Sequence, residues 1–566
     1  MAELFDPNSE TALYHTARLH YGRRELKQAE RLCDRVLKAN PRHQKALHLV
    51  GLIALARGQL QPAKEWLGRA ASIGPDAEIL LDLADVLEQA GDLEGALGCC
   101  RGALAIAPLL AKAHYGLGIV LHRMRDPEAA ASLREAIRLE PGFHAARIEL
   151  GRALLGANEY RAAMRELEPV LGLKPSVDAL VLYGLACHEL GEFERAIERL
   201  GQAVKLERDP ANTLSILANV HRDAGDFARA EELYERVLAL APDDMHARND
   251  YAHALLARGQ FERGWEMYEA RWEANQWRDH LAYKQPMWNG EPLAGKRLLV
   301  WGEQGIGDQM MFASLLPELL PQPASCTVVV DAKLVPLFER SFPSAHIVAR
   351  RTEAHAVLLK EPFDYQVPIA SLGRQFRRSY ADFPRHAGYL RADPAKVEAW
   401  KARLAALGPG RKVAISWRGG FVGTRRHLRS LDLEAWLPIL KTPGLEFISL
   451  QYTDCAQELA ELREKHGVVV HHWQEAIDDY DETAALVCAV DRVVSVCTAL
   501  IHLTGAMGRA AWILVPAVPE WRYMREGSRM PWYPAARLFR QESIGEWGDV
   551  IERVAGELGS SAAGVE

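Results

Sequence analysis

Prolines recur through the first half of this 566-residue chain at Pro41, Pro75, Pro108, Pro141 and Pro175, spaced 34, 33, 33 and 34, and again at Pro242. Interleaved with them, Gly58, Gly91, Gly191, Gly225 and Gly259 follow the same period or multiples of it. The surroundings repeat too. Leu185-Ala-Cys-His-Glu-Leu-Gly-Glu-Phe-Glu-Arg-Ala matches Leu217-Ala-Asn-Val-His-Arg-Asp-Ala-Gly-Asp-Phe-Ala-Arg-Ala in its small residue, turn glycine, following aromatic and alanine. A period of this length predicts two amphipathic helices per unit. Glycine permits the tight turn between them, alanine their close approach, and proline ends the second helix. Because one unit cannot bury its apolar face alone, the units must stack.

This period and pattern resemble tetratricopeptide repeats, seven or eight of them over roughly residues 10–275, so a repeat superhelix is expected over 1–275. Such an array implies a concave groove that binds a protein or peptide, with a spacer or dimerisation role as the alternative. Helix phase alone does not single out a groove residue.

Apolar residues make up 49% and charged residues 25%, a globular balance that excludes disordered, collagen-like and disulfide-scaffold classes. With 68 basic against 75 acidic residues the net charge is −7, so no nucleic-acid partner is expected for the chain as a whole. The eight cysteines include no Cys-x-x-Cys pair and read as reduced side chains. No signal peptide is visible, and the most apolar run, Ala511-Trp-Ile-Leu-Val-Pro-Ala-Val, is too short to cross a bilayer. A soluble cytoplasmic protein without membrane insertion is therefore expected.

After Arg271 the period changes. Short apolar runs at Arg297–Trp301, Thr327–Val330, Lys412–Trp417, Glu446–Leu450, Val468–Val470, Arg492–Val496 and Ala511–Val515 alternate with helical segments. Continuous apolar strands separated by helices predict parallel sheets covered on both faces. They fall into two groups, implying two Rossmann-like lobes at 276–392 and 393–566. Ligands in such an arrangement bind at the carboxyl ends of strands.

Three strand ends carry candidate chemistry. The first runs Trp301-Gly-Glu-Gln-Gly-Ile-Gly-Asp308, then a helix from Met310. Gly305 and Gly307 would let a ligand approach, and Asp308 is placed as a general base, the alternative being a helix N-cap. The second is Ser416-Trp-Arg418-Gly419-Gly, followed by Thr424-Arg425-Arg426-His-Leu-Arg429-Ser430. Four arginines around a glycine loop fit phosphate, or else a solvated basic loop. The third is Cys497-Thr498-Ala-Leu-Ile-His502, where Thr498 and His502 share a helix face that can meet a phosphate at the helix start. Further loops carry Gln451, Tyr452, Glu520, Tyr523 and Trp532, as contacts for a base or sugar or as a seal between lobes. No metal site is expected, since His471-His472 lacks ligand spacing and Asp478–Asp481 precedes a helix that acids favour anyway.

Repeats followed by Gly302-Glu-Gln-Gly-Ile-Gly-Asp308, Leu316-Pro-Glu-Leu, Ser416-Trp-Arg-Gly, Arg429-Ser-Leu and Thr498-Ala-Leu-Ile-His-Leu-Thr-Gly resemble bacterial tetratricopeptide-repeat glycosyltransferases. The catalytic half is similar to that of ADP-heptose heptosyltransferases, and the domain order to that of O-GlcNAc transferase. The resemblance implies a GT-B fold of two lobes and metal-independent, inverting transfer with a nucleotide sugar as co-substrate and no cofactor. By it Asp308 matches the base and Thr498 and His502 the donor-phosphate helix, while Arg418, Gly419, Arg429, Gln451, Glu520 and Tyr523 are further donor-side candidates from their strand-end loops. Where the family carries Asp-Thr this chain has Cys497-Thr498, which removes a carboxylate and leaves ADP-heptose unassigned. Repeat-fused enzymes of this type include flagellin-modifying transferases that use CMP-activated nonulosonic acids (pseudaminic or legionaminic). The resemblance therefore implies flagellin as the protein acceptor, with UDP-hexosamine transfer to protein, or a non-catalytic scaffold, as alternatives. A saccharide or lipid acceptor is disfavoured, because it needs no repeats.

Overall fold

The computed structural model describes residues 9–173, 176–275, 283–358, 360–420 and 426–562. Pro175, Thr424 and Arg425 lie outside these described residues. The chain divides into two compact units, Met1–Thr213 and Leu214–Glu566.

Among the described residues, eight helical hairpins run from Glu10–Gly22 with Leu26–Ala39 to Met245–Ala257 with Phe261–Tyr268, six of them in the first unit. Every hairpin turns on one left-handed residue. Glycine fills that place at Gly58, Gly91, Gly191, Gly225 and Gly259, while Arg24, Arg125 and Asn158 fill it in the other three. The gaps in the glycine period are thus occupied turns, at a strain of roughly 1–2 kcal/mol for a residue with a Cβ. Close packing sets the rest of the period. A Cβ added at Gly51, Gly118, Gly151 or Gly184 would come within 2.8 Å of the Leu67, Leu133, Leu167 or Leu200 side chain of the partner helix. All four leucines are fully buried.

The second unit carries the last two hairpins and both α/β lobes. In the first lobe β1 (Arg297–Trp301), β2 (Ser325–Val330), β3 (His346–Ala349) and β4 (Tyr365–Pro368) form a parallel sheet in the order β3-β2-β1-β4. The second lobe has β5 (Arg411–Ser416), β6 (Leu445–Ser449), β7 (Val470–His472), β8 (Arg492–Val496), β9 (Ala511–Val515), β10 (Arg529–Met530) and β11 (Tyr533–Arg540). Their order is β10-β11-β9-β8-β5-β6-β7, and only the β10–β11 pair is antiparallel. One apolar core joins Ala252 and Trp265 of the last hairpin to Phe312 and Val328 of the first lobe and Ile501 and Trp532 of the second.

Several expected boundaries shift. β3, β4, β10 and β11 are additional strands, short or with mixed polarity, and β7 begins at Val470 rather than Val468. The first-lobe helix begins at Ile306, not Met310, so Asp308 is its third residue and Gly305 its N-cap. Asp393 caps the Pro394–Ala405 helix by accepting from the Ala395 N–H at 2.8 Å, and that helix packs on Tyr480–Ala489 of the second lobe.

Candidate functional site

The carboxyl ends of β1, β5, β6, β8 and β9 carry Asp308, Arg418, Gln451, Thr498 and Glu520 on their loops, and a cavity of about 510 Å³ opens among the loops after β1, β5, β8 and β9 and the last two hairpins. Arg429, Cys497, Glu520 and Arg522 line it from the second lobe, Gln304 from the first, and Asn249, Asp250 and His253 from the Met245–Ala257 repeat helix.

Along it runs a chain of four charged side chains, three of which line the cavity. One oxygen of Asp308 accepts from Arg522, while the other accepts from the N–H of Gly305 at 3.2 Å. Arg522 also donates to Glu520 at 2.8 Å, and the second Glu520 oxygen pairs with Arg429. Burial opposes ionisation of Glu520, yet Arg522 and Arg429 outweigh it and hold the carboxyl below its usual range. The same two carboxylates raise the Arg522 pKa against its desolvation. The chain crosses from the first lobe to the second, so it couples Asp308 to the 516–525 loop.

His502 is a neutral imidazole. Burial pushes its pKa down to about 4, assisted by Arg522, and its Nδ1 lies 3.0 Å from the Tyr533 hydroxyl. Gly307 explains why the two lobes can meet there. A Cβ on it would stand 3.0 Å from His502 Cδ2 and 3.4 Å from Ala499 Cα. Gly307 thus serves the approach of the Ile306–Phe312 and Ala499–Ala506 helices, where ligand approach was expected. Gly419 behaves alike, for its Cβ would fall 2.3 Å from Thr498 Cγ2. Thr498 is the N-cap of the Ala499–Ala506 helix, but its hydroxyl lies 3.3 Å from Ser495 Oγ and makes no cap bond.

Other candidates fall on supporting contacts. Gln451 is buried and ties the Ser416-Trp417-Arg418 turn together, accepting from the Trp417 and Arg418 N–H groups at 3.2 and 3.1 Å. The Arg418 guanidinium points into its own lobe, paired with Glu458 and donating to Thr453 Oγ1 at 3.2 Å and the Asp454 carbonyl at 2.9 Å. Tyr523 and Trp532 are buried, and Trp521 and Trp532 pack edge-on against Trp265 of the last hairpin with ring centroids 5.5 and 6.4 Å apart. The same two indoles pack on Phe312 of the first lobe with ring centroids 6.4 and 5.6 Å apart. Cys497 is a buried thiol raised to about 12 by desolvation first and Glu520 second, so it stays protonated.

The last hairpin is bolted to the first lobe by Arg271, which grips Glu303 through two bonds of 2.9 and 2.7 Å and reaches Ser371 Oγ at 2.8 Å. Both charges are almost wholly buried. Glu303, part of the first glycine-rich motif, is therefore an anchor for the repeat helices.

Comparison with known proteins agrees with the repeat architecture. Tetratricopeptide repeat matches cover residues 14–78, 81–142, 148–213 and 221–276. Protein FlbA of Caulobacter vibrioides is 34% identical over 509 residues, spanning 85% of this chain and 84% of that protein. The chain belongs to the FlbA family. Solved structures similar to parts of it include Pseudomonas aeruginosa PilF (18% identity, TM-score 0.32, 35% of this chain and 91% of that one) and the tetratricopeptide protein YrrB (21% identity, TM-score 0.29, 33% and 97%).

In this FlbA-family chain the sequence reading missed Arg522, Asn249, Asp250 and His253. Arg522 stands between the candidates Glu520 and Tyr523, and only its contact with Asp308 reveals it. The repeat residues carry no signal at all, because within a helical repeat they look like any polar position. His253 has its pKa lowered to about 4, chiefly by burial against an opposing Asp250. In the first unit a groove of about 1470 Å³ is lined by Leu81, Tyr115, Ile119 and Phe143, with Asp85 and Arg152 beside them. Among the described residues no group of three or more His, Cys, Asp or Glu is arranged to hold a metal, and no helix is long and apolar enough to cross a membrane.

Proposed function

We propose that this chain is a metal-independent, inverting GT-B glycosyltransferase that acts on a protein. The reading is carried by one observation: the last repeat helix and the strand-end loops of two parallel-sheet lobes line a single cavity, with Asp308 bonded to an arginine on its wall. Tetratricopeptide repeats generally bind protein partners, so an acceptor held by the array brings its serine or threonine to the cavity at high effective concentration. There Asp308 takes the hydroxyl proton as the oxygen attacks the anomeric carbon. The bond from that carbon to the phosphate oxygen breaks, and its electron pair leaves with the phosphate. Positive side chains and the start of the Ala499–Ala506 helix stabilise the charge that develops.

The finer reading follows the resemblance stated above: flagellin as acceptor and a CMP-nonulosonic acid as donor, with a UDP-hexosamine donor as the alternative. Intact-mass analysis of a flagellin incubated with the chain and each activated sugar tests it. A mass increment matching a nonulosonic acid, reduced about 10²–10⁴-fold in rate by Asp308→Asn, is expected. An unchanged rate in Asp308→Asn removes the base assignment, and an increment only from the UDP sugar reverses the donor choice.

A second reading has its own observation. The ions of the cavity are mutually neutralised, and Cys497 stands where the transferases that the sequence resembles carry an acid, which suits a non-catalytic scaffold. Absence of transfer and of nucleotide binding would favour it.

A further inference from the structure

The chain of charges along the cavity holds two arginines and two carboxylates in strict alternation: Asp308, Arg522, Glu520, Arg429. Three of the four, Glu520 and both arginines, line the cavity itself. Glu520 bridges the arginines with one oxygen on each, which is how two adjacent anionic groups of a ligand would bridge them. Arg418, the arginine the glycine loop pointed to, has its guanidinium taken up by Glu458, Thr453 and the Asp454 carbonyl.

We propose that Arg429 and Arg522 are the seat for the paired anionic groups of the donor, a diphosphate or a phosphate beside a sugar carboxylate, and that Glu520 occupies this seat in the empty protein. The inference deepens the transferase reading and rests on it for the identity of the ligand as a donor. Two consequences follow from the alternation of charge. A ligand anion must displace Glu520, because both arginines are otherwise neutralised. Drawing Arg522 toward the ligand also withdraws it from Asp308, freeing one carboxylate oxygen for a hydroxyl proton while the other keeps the Gly305 N–H. Donor binding and exposure of the base are then one event, and Arg522 is the residue that links them. The pKa direction of Glu520 agrees, since a carboxylate held ionised by both arginines competes with an incoming anion.

The test uses the full chain with inorganic pyrophosphate as the probe, by calorimetry and thermal unfolding, and with CMP and UDP in parallel titrations. Glu520→Gln removes the internal competitor from both arginines, so pyrophosphate should bind it about tenfold or more tightly than the parent, the scale of one charge-assisted hydrogen bond. The probe should also raise its melting temperature by more than it raises the parent's. Arg429→Gln and Arg522→Gln should weaken binding by a similar factor. Because the Glu520 effect is a gain, a folding defect cannot mimic it, and Arg522→Lys supplies a milder variant should Arg522→Gln unfold. Weaker pyrophosphate binding in Glu520→Gln overturns the proposal, as does loss of binding in Arg418→Gln with both other arginine variants unaffected. If pyrophosphate behaves as described but no nucleotide binds, the seat stands and the transferase reading fails. If a nucleotide binds equally to the parent and both arginine variants, the transferase reading stands and the seat fails. Binding of neither overturns both.

Discussion

The repeats of the first unit and the cleft of the second stabilise themselves over different distances along the chain. In a repeat, Gly184 is buried against Leu200 of the very next helix, and the arrangement recurs at Gly51, Gly118 and Gly151. In the cleft, Asp308 meets Arg522 across 214 residues and the Trp265 indole donates to the Arg377 carbonyl across 112. A local, repeated contact can be lost at one place with its neighbours intact. A buried charge pair such as Arg271 and Glu303 has no such redundancy, because removing one member strands the other in a medium that penalises unpaired charge.

The sharpest way to break this comparison is Arg271→Met, which strands the buried Glu303. The second unit should lose about 3–5 kcal/mol of stability. In denaturant unfolding its transition, followed by tryptophan fluorescence, should move while the transition of the first unit stays put. Equal shifts in both would mean that the two units do not differ in the way described.

Acid should separate the regions next. His502 and His253 have folded pKa values near 4, below the ordinary histidine value of about 6.5, so the unfolded chain takes up their protons first. The stability they contribute is fully present above pH 6.5 and is lost as pH falls from there toward 4, by about tenfold in the folding constant per pH unit per histidine. Urea midpoints at pH 7, 6 and 5 should fall less steeply for His502→Gln. A curve parallel to the parent's would contradict the buried neutral imidazole.

Within the repeats the effects shrink. Gly184→Val forces a side chain into fully buried Leu200 and should lower stability by about 1–3 kcal/mol, read as an earlier loss of helical circular dichroism. Arg125→Gly should work the other way. It relieves a left-handed turn that five of the hairpins give to glycine, with a gain of up to about 1 kcal/mol. A loss there would mean that Arg125 makes contacts worth more than its strain.

The same difference decides what could be read before folding. The repeat period was legible because each contact recurs every 33 or 34 residues, and its irregularities at Arg125 and Asn158 are occupied turns. Strands β1, β5, β8 and β9 were legible as apolar runs ending in glycine or polar residues, and so the loops of the cleft could be placed. The partners within the cleft were not. Nothing near Asp308 announces Arg522, and nothing in the repeat helix marks Asn249 or His253 as cavity residues. Gly307 and Gly419 suggested ligand approach, yet each makes room for a helix or loop of the same protein. A glycine records only that something comes close.

The central claim is that this cavity receives a nucleotide sugar, and calorimetric titration of the full chain with CMP, UDP, GDP and ADP at matched concentrations tests it most directly. Saturable binding of one nucleotide, with CMP favoured, is the result predicted, and it should be weakened by Arg429→Gln. No heat of binding from any of the four would contradict the claim and leave the repeats attached to a scaffold.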